Sequence, residues 1–154
     1  MAPSQNSVKT EVYPFIDPKN FKGKFKGKTV FVTGAGGGIG RGISIAFAKA
    51  GANVSFVDLD HDRVMETVSL CQAEGAEALG TVCDLTDHQA VDKVIEAYVK
   101  FRALLISRTE KRFGKIDVLV NNAGINRRRP FHMMSFETFA KVIEVNFMAV
   151  TPLL

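Results

Sequence analysis

The sequence predicts an α/β fold in which a parallel β-sheet is covered by helices on both faces. Short apolar runs alternate along the chain with longer segments of helical periodicity. The last such run, residues 116–120, is almost continuously apolar, as is typical of a parallel strand buried on both faces. With 154 residues, 46% of them hydrophobic, the chain is long enough for one domain with a sizeable core.

Residues 1–24 are expected to form a flexible N-terminal arm, and residues 25–154 the folded domain. Prolines and polar residues interrupt any periodicity at the start of the chain. The segment Gly27-Lys28-Thr29 resembles the end of a nucleoside-triphosphate phosphate loop, but Lys22 stands where that loop requires glycine. That loop also follows a strand, whereas this segment precedes one. We therefore interpret the lysines before residue 29 as a solvent-exposed segment that leads into the first strand.

The first predicted strand, Thr29 to Val32, is followed by a glycine-rich segment and then by a helix-periodic stretch. The glycines Gly34, Gly38 and Gly40 have the spacing G-x-x-x-G-x-G. Glycine suits such a corner because the backbone must turn through positive φ and let a pyrophosphate approach closely. The following helix offers its unpaired N–H groups and the positive end of its dipole to that anion. The corner therefore predicts a phosphate-binding site.

The second predicted strand, Asn53 to Asp58, ends in an acid. Asp58 follows the glycines by about 20 residues, where dinucleotide-binding folds place a carboxylate that accepts hydrogen bonds from the adenosine ribose. Such a carboxylate would repel a 2′-phosphate, so NAD(H) is favoured over NADP(H) as the cofactor. Asp60 could bind the ribose in place of Asp58. The alternative without a ligand is that the acid only starts the next helix.

The third predicted strand, Ala78 to Cys83, leads into the exit loop Asp84-Leu85-Thr86-Asp87. An acid directly after a parallel strand is placed to meet a ligand at the C-terminal edge of the sheet. A cap for the next helix, formed by Thr86 or Asp87, is the alternative function of this loop.

Two amide-bearing segments follow in the last third of the chain. The fourth predicted strand, Ile116 to Val120, runs into Asn121-Asn122-Ala123-Gly124, whose small residues let a ligand ring approach the backbone. Further on, Asn146 is the single polar member of an apolar helical stripe that includes Phe139, Ile143 and Val150. A buried amide needs hydrogen-bond partners. Asn146 therefore either ties this helix to a neighbouring loop or serves an active site.

Cys71 and Cys83 have no spacing suited to a metal, so no metal site is predicted, and both are interpreted as buried free thiols. Free thiols suit a reducing compartment, and no apolar run reaches membrane-spanning length. A cytoplasmic location without a membrane partner is therefore expected. The net charge of +4 arises mainly before residue 29 and between residues 100 and 129. This local excess is weak support for a nucleic-acid partner, and none is expected.

Taken together, these motifs resemble those of the short-chain dehydrogenase/reductase family over about residues 25–150. The shared segments, in order, are Thr33-Gly34-x-x-x-Gly38-Ile39-Gly40, Asp58, Asp84-Leu85, Asn121-Asn122-Ala123-Gly124 and Glu144-Val145-Asn146. The resemblance implies a Rossmann-like doubly wound parallel sheet with strand order 3-2-1-4, of which the later strands are missing. The chain would then be the N-terminal, cofactor-binding part of such a protein.

The resemblance also implies roles for individual residues. The pyrophosphate would be lined by Gly34, Gly38, Ile39 and Gly40. The adenosine ribose would bind Asp58, and the adenine would lie between Asp84 and Leu85. The cofactor would extend towards the nicotinamide along Asn122, Ala123 and Gly124. A basic residue often precedes the second motif glycine in NADP-using members, but Gly37 stands there in this chain. Asn146 would act in catalysis by holding a water in a proton relay.

The family's chemistry depends on a serine and a Tyr-x-x-x-Lys that follow the position of Asn146. The tyrosine exchanges a proton with the substrate, and the lysine lowers the tyrosine pKa and holds the nicotinamide ribose. Neither Tyr13 nor Tyr98 is followed by lysine at the fourth position, so no residue is assigned the acid/base role.

We expect a truncated NAD(P)(H)-dependent oxidoreductase whose parent acts on a secondary alcohol or ketone and forms a homo-oligomer. The chain as written would bind dinucleotide weakly, if at all, and turn nothing over. The alternative is a catalytically inactive dinucleotide-binding module or sensor.

Two further segments carry open alternatives. The crossover between Asp84 and Phe113 is longer than the family generally uses, with a predicted insertion near residues 101–111. Either about three extra turns lengthen a helix without rotating its buried face, or this segment and the ending at residue 154 are translated non-coding sequence. Arg127-Arg128-Arg129 follow Gly124 and would either hold an anionic substrate or coenzyme tail, or simply be solvated.

Overall fold

The structure is a computed structural model that describes residues 14–86 and 105–149. Four parallel strands form one sheet: β1 (Thr29–Thr33), β2 (Asn53–Asp58), β3 (Ala78–Val82) and β4 (Val118–Val120). The helices are α1 (Gly38–Lys49), α2 (His61–Ala73), α3 (105–113) and α4 (Phe136–Ile143), which continues as a π-helical turn, Glu144–Met148. The sheet order is β3-β2-β1-β4, which confirms the predicted order.

Both faces of the sheet are covered because alternate residues of the central strand β1 point to opposite sides. Val30 and Val32 pack in one buried cluster with residues of β2, α1 and α2. Phe31 packs on the other face in a second cluster with Val57 and Leu105 of α3. All five residues of β1 are buried, as expected of a central parallel strand. The predicted doubly wound architecture is therefore confirmed.

The chain before β1 is partly ordered against α1. Residues Pro14–Ile16 and Pro18–Phe21 form two short 3-10 turns. The backbone N–H of Phe25 donates to the carbonyl of Ala50, and its ring packs edge-to-face on Phe47 with centroids 5.0 Å apart. Residues 1–13 lie outside the described residues, so the flexible arm predicted for residues 1–24 stays a prediction.

α3 contributes to the second face of the sheet through its buried side. Leu105 is buried, and the hydroxyl of Thr109 lies 2.7 Å from the hydroxyl of Ser55 on β2. Residues 87–104 lie outside the described residues, and with them Asp87, Tyr98 and the start, residues 101–104, of the predicted insertion near residues 101–111. The two interpretations of that insertion therefore stay open.

Asp117 joins the start of β1 to the segment that leads into β4. Its carboxylate accepts hydrogen bonds from the backbone N–H of Thr29 at 3.0 Å, from Lys115 at 2.9 Å and from Lys28 at 3.0 Å. These donors, the Thr29 N–H foremost, hold the pKa of the Asp117 carboxyl well below its usual range. The ionised form is thus favoured in the folded state.

The replacement Asp117→Asn is expected to lower the thermal unfolding temperature at about pH 7. Because the folded pKa is depressed, the stabilisation by Asp117 is complete above the unfolded pKa of about 4 and is lost as the pH falls towards the folded pKa. The difference in unfolding temperature between wild type and variant should therefore be smaller at about pH 3. A difference that stays constant or grows on acidification would contradict this account.

Candidate functional site

A cavity of about 580 Å³ opens at the edge of the sheet where the strands end. Parallel α/β sheets bind ligands at this edge, beside the point where the strand order reverses. Nine of the predicted site residues line it: Gly34, Ile39, Gly40, Asp58, Asp84, Leu85, Asn122, Ala123 and Gly124. Two others, Gly38 and Asn146, are not among the lining residues.

Two glycines of the corner are required by close contacts between backbone segments. Gly34 has φ of +67°, and a Cβ there would lie 2.8 Å from Cα of Ala123. A Cβ on Gly40 would overlap the carbonyl oxygen of Gly34 and lie 2.5 Å from Nδ2 of Asn122. A side chain at either position would therefore push the glycine corner away from the end of β4.

The N-terminus of α1 points its first turn at the cavity. Gly37 is the N-cap residue and is extended, with φ of −171°, and no side-chain hydrogen bond caps the helix. Gly37, Ile39 and Gly40 all line the cavity, whereas Gly38 adopts φ of +53° with open space around it. An uncapped helix N-terminus offers backbone N–H groups and the positive end of its dipole to an anion.

Asn122 and Thr33 fasten the glycine corner to the end of β4. The Asn122 side-chain amide donates to the carbonyl oxygens of Thr33 and Gly34, both at 3.0 Å. The Thr33 hydroxyl accepts hydrogen bonds from the backbone N–H groups of Asn122 and Ala123, also at 3.0 Å. The Asn122 side chain thus holds the corner in shape. The role of Thr33 was missed, since only the contact itself, not the sequence, reveals the partner of its hydroxyl.

The replacement Thr33→Val is expected to lower the free energy of unfolding by about 2 kcal/mol or more, because two backbone N–H groups lose their acceptor. Thr33 is fully buried, so water does not replace the lost bonds. Thr29→Val in the same strand is the control, since Thr29 is also buried and its hydroxyl has no hydrogen bond within the described part of the chain. Urea unfolding that gives equal losses for both variants would contradict this role of Thr33.

Asp58 lies where β2 ends, and its carboxylate is oriented by the backbone. Oδ2 accepts a hydrogen bond from the N–H of Gly36 at 2.7 Å, and Oδ1 accepts one from the N–H of Leu59 at 2.8 Å. A Cβ on Gly36 would lie 2.6 Å from the Asp58 carboxyl carbon. Gly36, which the motif spacing did not select, is thus needed to admit the carboxylate.

Asp60 has a different position. Its Oδ1 accepts hydrogen bonds from the N–H groups of Asp62 and Arg63 at 3.0 and 3.1 Å, so it caps α2. Asp60 is also not among the residues that line the cavity. Of the two acids considered for the ribose, Asp58 therefore has the position that a cofactor in the cavity would require.

The loop after β3 is folded on itself and attached to α4. Oδ1 of Asp84 accepts hydrogen bonds from the N–H of Thr86 at 2.7 Å and from its hydroxyl at 2.8 Å. Nζ of Lys141 donates to the same hydroxyl at 2.9 Å and forms an ion pair with Glu144 at 2.9 Å. This arrangement holds Asp84 and Leu85 at the cavity wall.

Asn146 ties the π-helical turn to the loop after β4. Its Nδ2 donates to the carbonyl of Ile125 at 2.9 Å, and its Oδ1 accepts from the Ile125 N–H at 2.7 Å. The residue is exposed, so the prediction of a buried amide is wrong. The apolar residues of the same stripe, Phe139 and Ile143, are also partly exposed, although the ring of Phe131 packs edge-to-face on Phe139; Val150 lies outside the described residues.

Asn146 nevertheless lies at the rim of the cavity. A Cβ added to Gly124, which lines the cavity, would come within 3.2 Å of Oδ1 of Asn146. The contacts with Ile125 correspond to the structural alternative considered for this asparagine. Its predicted catalytic role stays a prediction.

The two cysteines and the three consecutive arginines were also singled out in the sequence. Cys71 is fully buried, and burial together with Glu74 raises the pKa of its thiol to about 11. Cys83 forms no disulfide with a described residue and is half-buried at the cavity wall, so its predicted burial is wrong in degree. Of the three consecutive arginines, Arg127 lines the cavity and the other two do not.

Two kinds of feature are absent from residues 14–86 and 105–149. No group of three or more His, Cys, Asp or Glu side chains is arranged there to hold a metal ion. No helix in those ranges is both long enough and apolar enough to cross a bilayer.

Comparison with known proteins adds a family match. A family model described as short chain dehydrogenase matches residues 28–153. The 7alpha-hydroxysteroid dehydrogenase of Escherichia coli (strain K12) is 34% identical over 123 residues, which are 80% of this chain and 44% of that protein. The 2,3-dihydro-2,3-dihydroxybenzoate dehydrogenase of Bacillus subtilis is 34% identical over 127 residues, or 82% of this chain and 44% of that protein.

A crystal structure of a short chain dehydrogenase from Mycobacterium smegmatis superposes with a TM-score of 0.72 at 32% identity. The match covers 85% of this chain and 51% of that structure. The chain thus spans less than half the length of the curated relatives named above.

Proposed function

The chain belongs to the short chain dehydrogenase family, and from that premise we propose that it is the dinucleotide-binding part of an NAD(H)-dependent oxidoreductase acting on a secondary alcohol or ketone. One observation carries the proposal. The glycine corner, the uncapped start of α1 and the Asp58 carboxylate border a single cavity at the ligand-binding edge of the sheet. The activity is proposed for the whole protein, since this chain spans less than half of its curated relatives.

The residues at the cavity fit an extended dinucleotide. In the proposal, the pyrophosphate lies at the start of α1, against Gly34, Gly38, Ile39 and Gly40. The adenosine ribose donates hydrogen bonds to Asp58, and the adenine lies against Asp84 and Leu85. The nicotinamide half extends along Ala123 and Gly124, while Asn122 holds the corner in shape. The bound cofactor would supply the hydride acceptor or donor.

The preference for NAD(H) is proposed from charge. Each carboxylate oxygen of Asp58 accepts a backbone N–H and has a further lone pair that could accept a hydrogen bond from a ribose hydroxyl. The negative charge of the same carboxylate would repel a 2′-phosphate. Gly37, next to the second motif glycine, supplies no cation to offset that repulsion. Asn146 is proposed to hold a water of the proton relay from its position at the cavity rim, and the proton donor to the substrate is proposed to be the tyrosine of a Tyr-x-x-x-Lys.

A second candidate, a catalytically inactive dinucleotide-binding module, is favoured by the tyrosines of this chain. Neither Tyr13 nor Tyr98 is followed by lysine at the fourth position. For the protein as a whole we also propose a homo-oligomer. We further propose a reducing, cytoplasmic compartment, because Cys71 and Cys83 are not joined in a disulfide.

The test compares this chain with a product extended by the downstream genomic reading frame. The 154-residue chain is expected to produce no NADH from a panel of secondary alcohols. The extended product should contain a Ser and a Tyr-x-x-x-Lys and should turn over at least one of them. An extended product that binds NAD⁺ but remains inactive would favour the binding module. Full activity of the 154-residue chain would contradict the assignment of the acid/base group.

A further inference from the structure

Arg41, just after the last motif glycine, fastens the tip of the glycine corner to α2. Its Nη2 donates to the carbonyl of Gly36 at 2.5 Å and forms an ion pair with Glu66 at 2.6 Å. Its Nε donates to the Thr67 hydroxyl at 3.1 Å, which in turn lies 3.0 Å from the carbonyl of Ala35. None of these contacts follows from the glycine motif, and the proposed function gives Arg41 and Glu66 no role.

The Arg41 guanidinium and the Asp58 carboxylate of the proposed ribose site both bind the backbone of one residue, Gly36. The N–H of Gly36 donates to the Asp58 carboxylate, while the carbonyl of the same residue accepts from Arg41. A 2′-phosphate would replace one of the ribose hydroxyls proposed to contact Asp58, and would therefore lie beside this loop tip. The Arg41 side chain is 22% exposed, and its Nη1 has no hydrogen-bond partner among the described residues. Arg41 is thus a cation near the position of that phosphate.

We propose that Glu66 determines cofactor selectivity by neutralising Arg41. With Glu66 in place, the loop tip is bordered by two carboxylates, Asp58 bound to the N–H of Gly36 and Glu66 paired with Arg41, and by one guanidinium, so an incoming phosphate meets a net negative charge. Without Glu66, the charge of Arg41 would offset that of Asp58, and the guanidinium could donate from Nη1 to a phosphate oxygen with no carboxylate competing for its charge. This inference rests on the proposed function, because it requires that the adenosine ribose binds at Asp58.

The size of the effect follows from the exposure of the pair. Glu66 is 58% exposed, so water and salt screen its interaction with Arg41. An exposed ion pair contributes little free energy, so removing Glu66 should change the affinity for NADP⁺ by about threefold. The change could reach about tenfold, because the phosphate is charged and the site is partly buried. The determinant is therefore expected to be weaker than Asp58 itself but measurable.

The test is the variant Glu66→Gln, with dissociation constants for NAD⁺ and NADP⁺ measured by calorimetric titration of the purified protein. NADP⁺ binding is expected to tighten about threefold to tenfold, and NAD⁺ binding to change by less than about twofold. The matched control is Glu74→Gln, which makes the same change of net charge at the far end of α2, where Glu74 pairs with Lys49. The control should leave the ratio of the two constants unchanged.

A second variant shows whether the effect passes through Arg41. In an Arg41→Met background, Glu66→Gln should no longer improve NADP⁺ binding. Arg41→Met alone should weaken both dinucleotides, because the loop tip loses its attachment to α2. Two results would overturn this inference but not the proposed function. One is a Glu66→Gln variant that still binds NAD⁺ and has an unchanged ratio of the NAD⁺ and NADP⁺ dissociation constants. The other is a Glu74→Gln variant in which that ratio changes as much as in Glu66→Gln. Failure of both the 154-residue chain and the product extended by the downstream reading frame to bind either dinucleotide would instead overturn the proposed function.

Discussion

Replacing Gly40 with alanine is expected to eliminate measurable NAD⁺ binding and to lower the free energy of unfolding by about 3 kcal/mol. The added Cβ would overlap the carbonyl oxygen of Gly34 and lie 2.5 Å from Nδ2 of Asn122. Neither atom is free to move away, because Asn122 donates to the carbonyls of both Thr33 and Gly34. The corner must therefore open, and the proposed pyrophosphate site loses its shape.

Gly42→Ala is the matched control for this prediction. Gly42 lies in the same helix, and a Cβ there would meet nothing within 4 Å. Alanine should leave NAD⁺ binding unchanged and stabilise the protein by about 0.5–1 kcal/mol, because glycine is unfavourable inside a helix. Urea unfolding and dinucleotide titration of both variants check the pair. Similar losses in both would mean that helix composition, and not the approach of α1 to the corner, explains the result.

Replacing Asp58 with asparagine is expected to weaken NAD⁺ binding about 10- to 100-fold, because the ribose hydroxyls would lose hydrogen bonds to a charged acceptor. Asparagine can still accept from the N–H of Gly36, as Oδ2 of Asp58 does at 2.7 Å, so the loop tip should keep that contact. Its amide nitrogen then replaces the oxygen that accepts from the N–H of Leu59. NADP⁺ binding should be unchanged or tighter, because the carboxylate that repels the 2′-phosphate is gone. Parallel titrations with the two dinucleotides measure both effects.

Asp60→Asn is the control for Asp58→Asn. Asp60 caps α2 through the N–H groups of Asp62 and Arg63, and asparagine is an equally good N-cap residue. Fold and selectivity should both be retained in this variant. A loss of NAD⁺ preference in Asp60→Asn, with Asp58→Asn unaffected, would move the proposed ribose contact from the end of β2 to the start of α2.

Much of the fold could be predicted because it depends on local patterns. The bounds of β2 agree with the prediction, Asn53–Asp58, and β3 begins at Ala78 as predicted and ends at Val82, one residue before the predicted end. Gly51 and Gly75 follow the ends of α1 and α2 and have φ of 92° and 82°, which favour glycine. Apolar periodicity and glycine placement report on the backbone within a few residues, which explains this agreement.

The parts that were missed depend on contacts between segments that are distant in sequence. Thr33, Gly36 and Arg41 each support the candidate site through a partner on another element. No spacing rule identifies such partners, because they are set by how strands and helices pack. Around Asn146 the local pattern was interpreted correctly and the burial was not. Periodicity identified an apolar helix face, but it does not say what covers that face. Phe136, beside the face, is 82% exposed.

Whether the glycine corner and Asp58 select NAD⁺ is measured by titrating the purified protein with NAD⁺ and with NADP⁺. NAD⁺ is expected to bind weakly, with a dissociation constant on the order of 1 mM, and NADP⁺ to bind more weakly by about tenfold or more. Absence of NAD⁺ binding, or binding of NADP⁺ as tight as that of NAD⁺, would contradict the claim that the glycine corner and Asp58 form an NAD(H)-selective site.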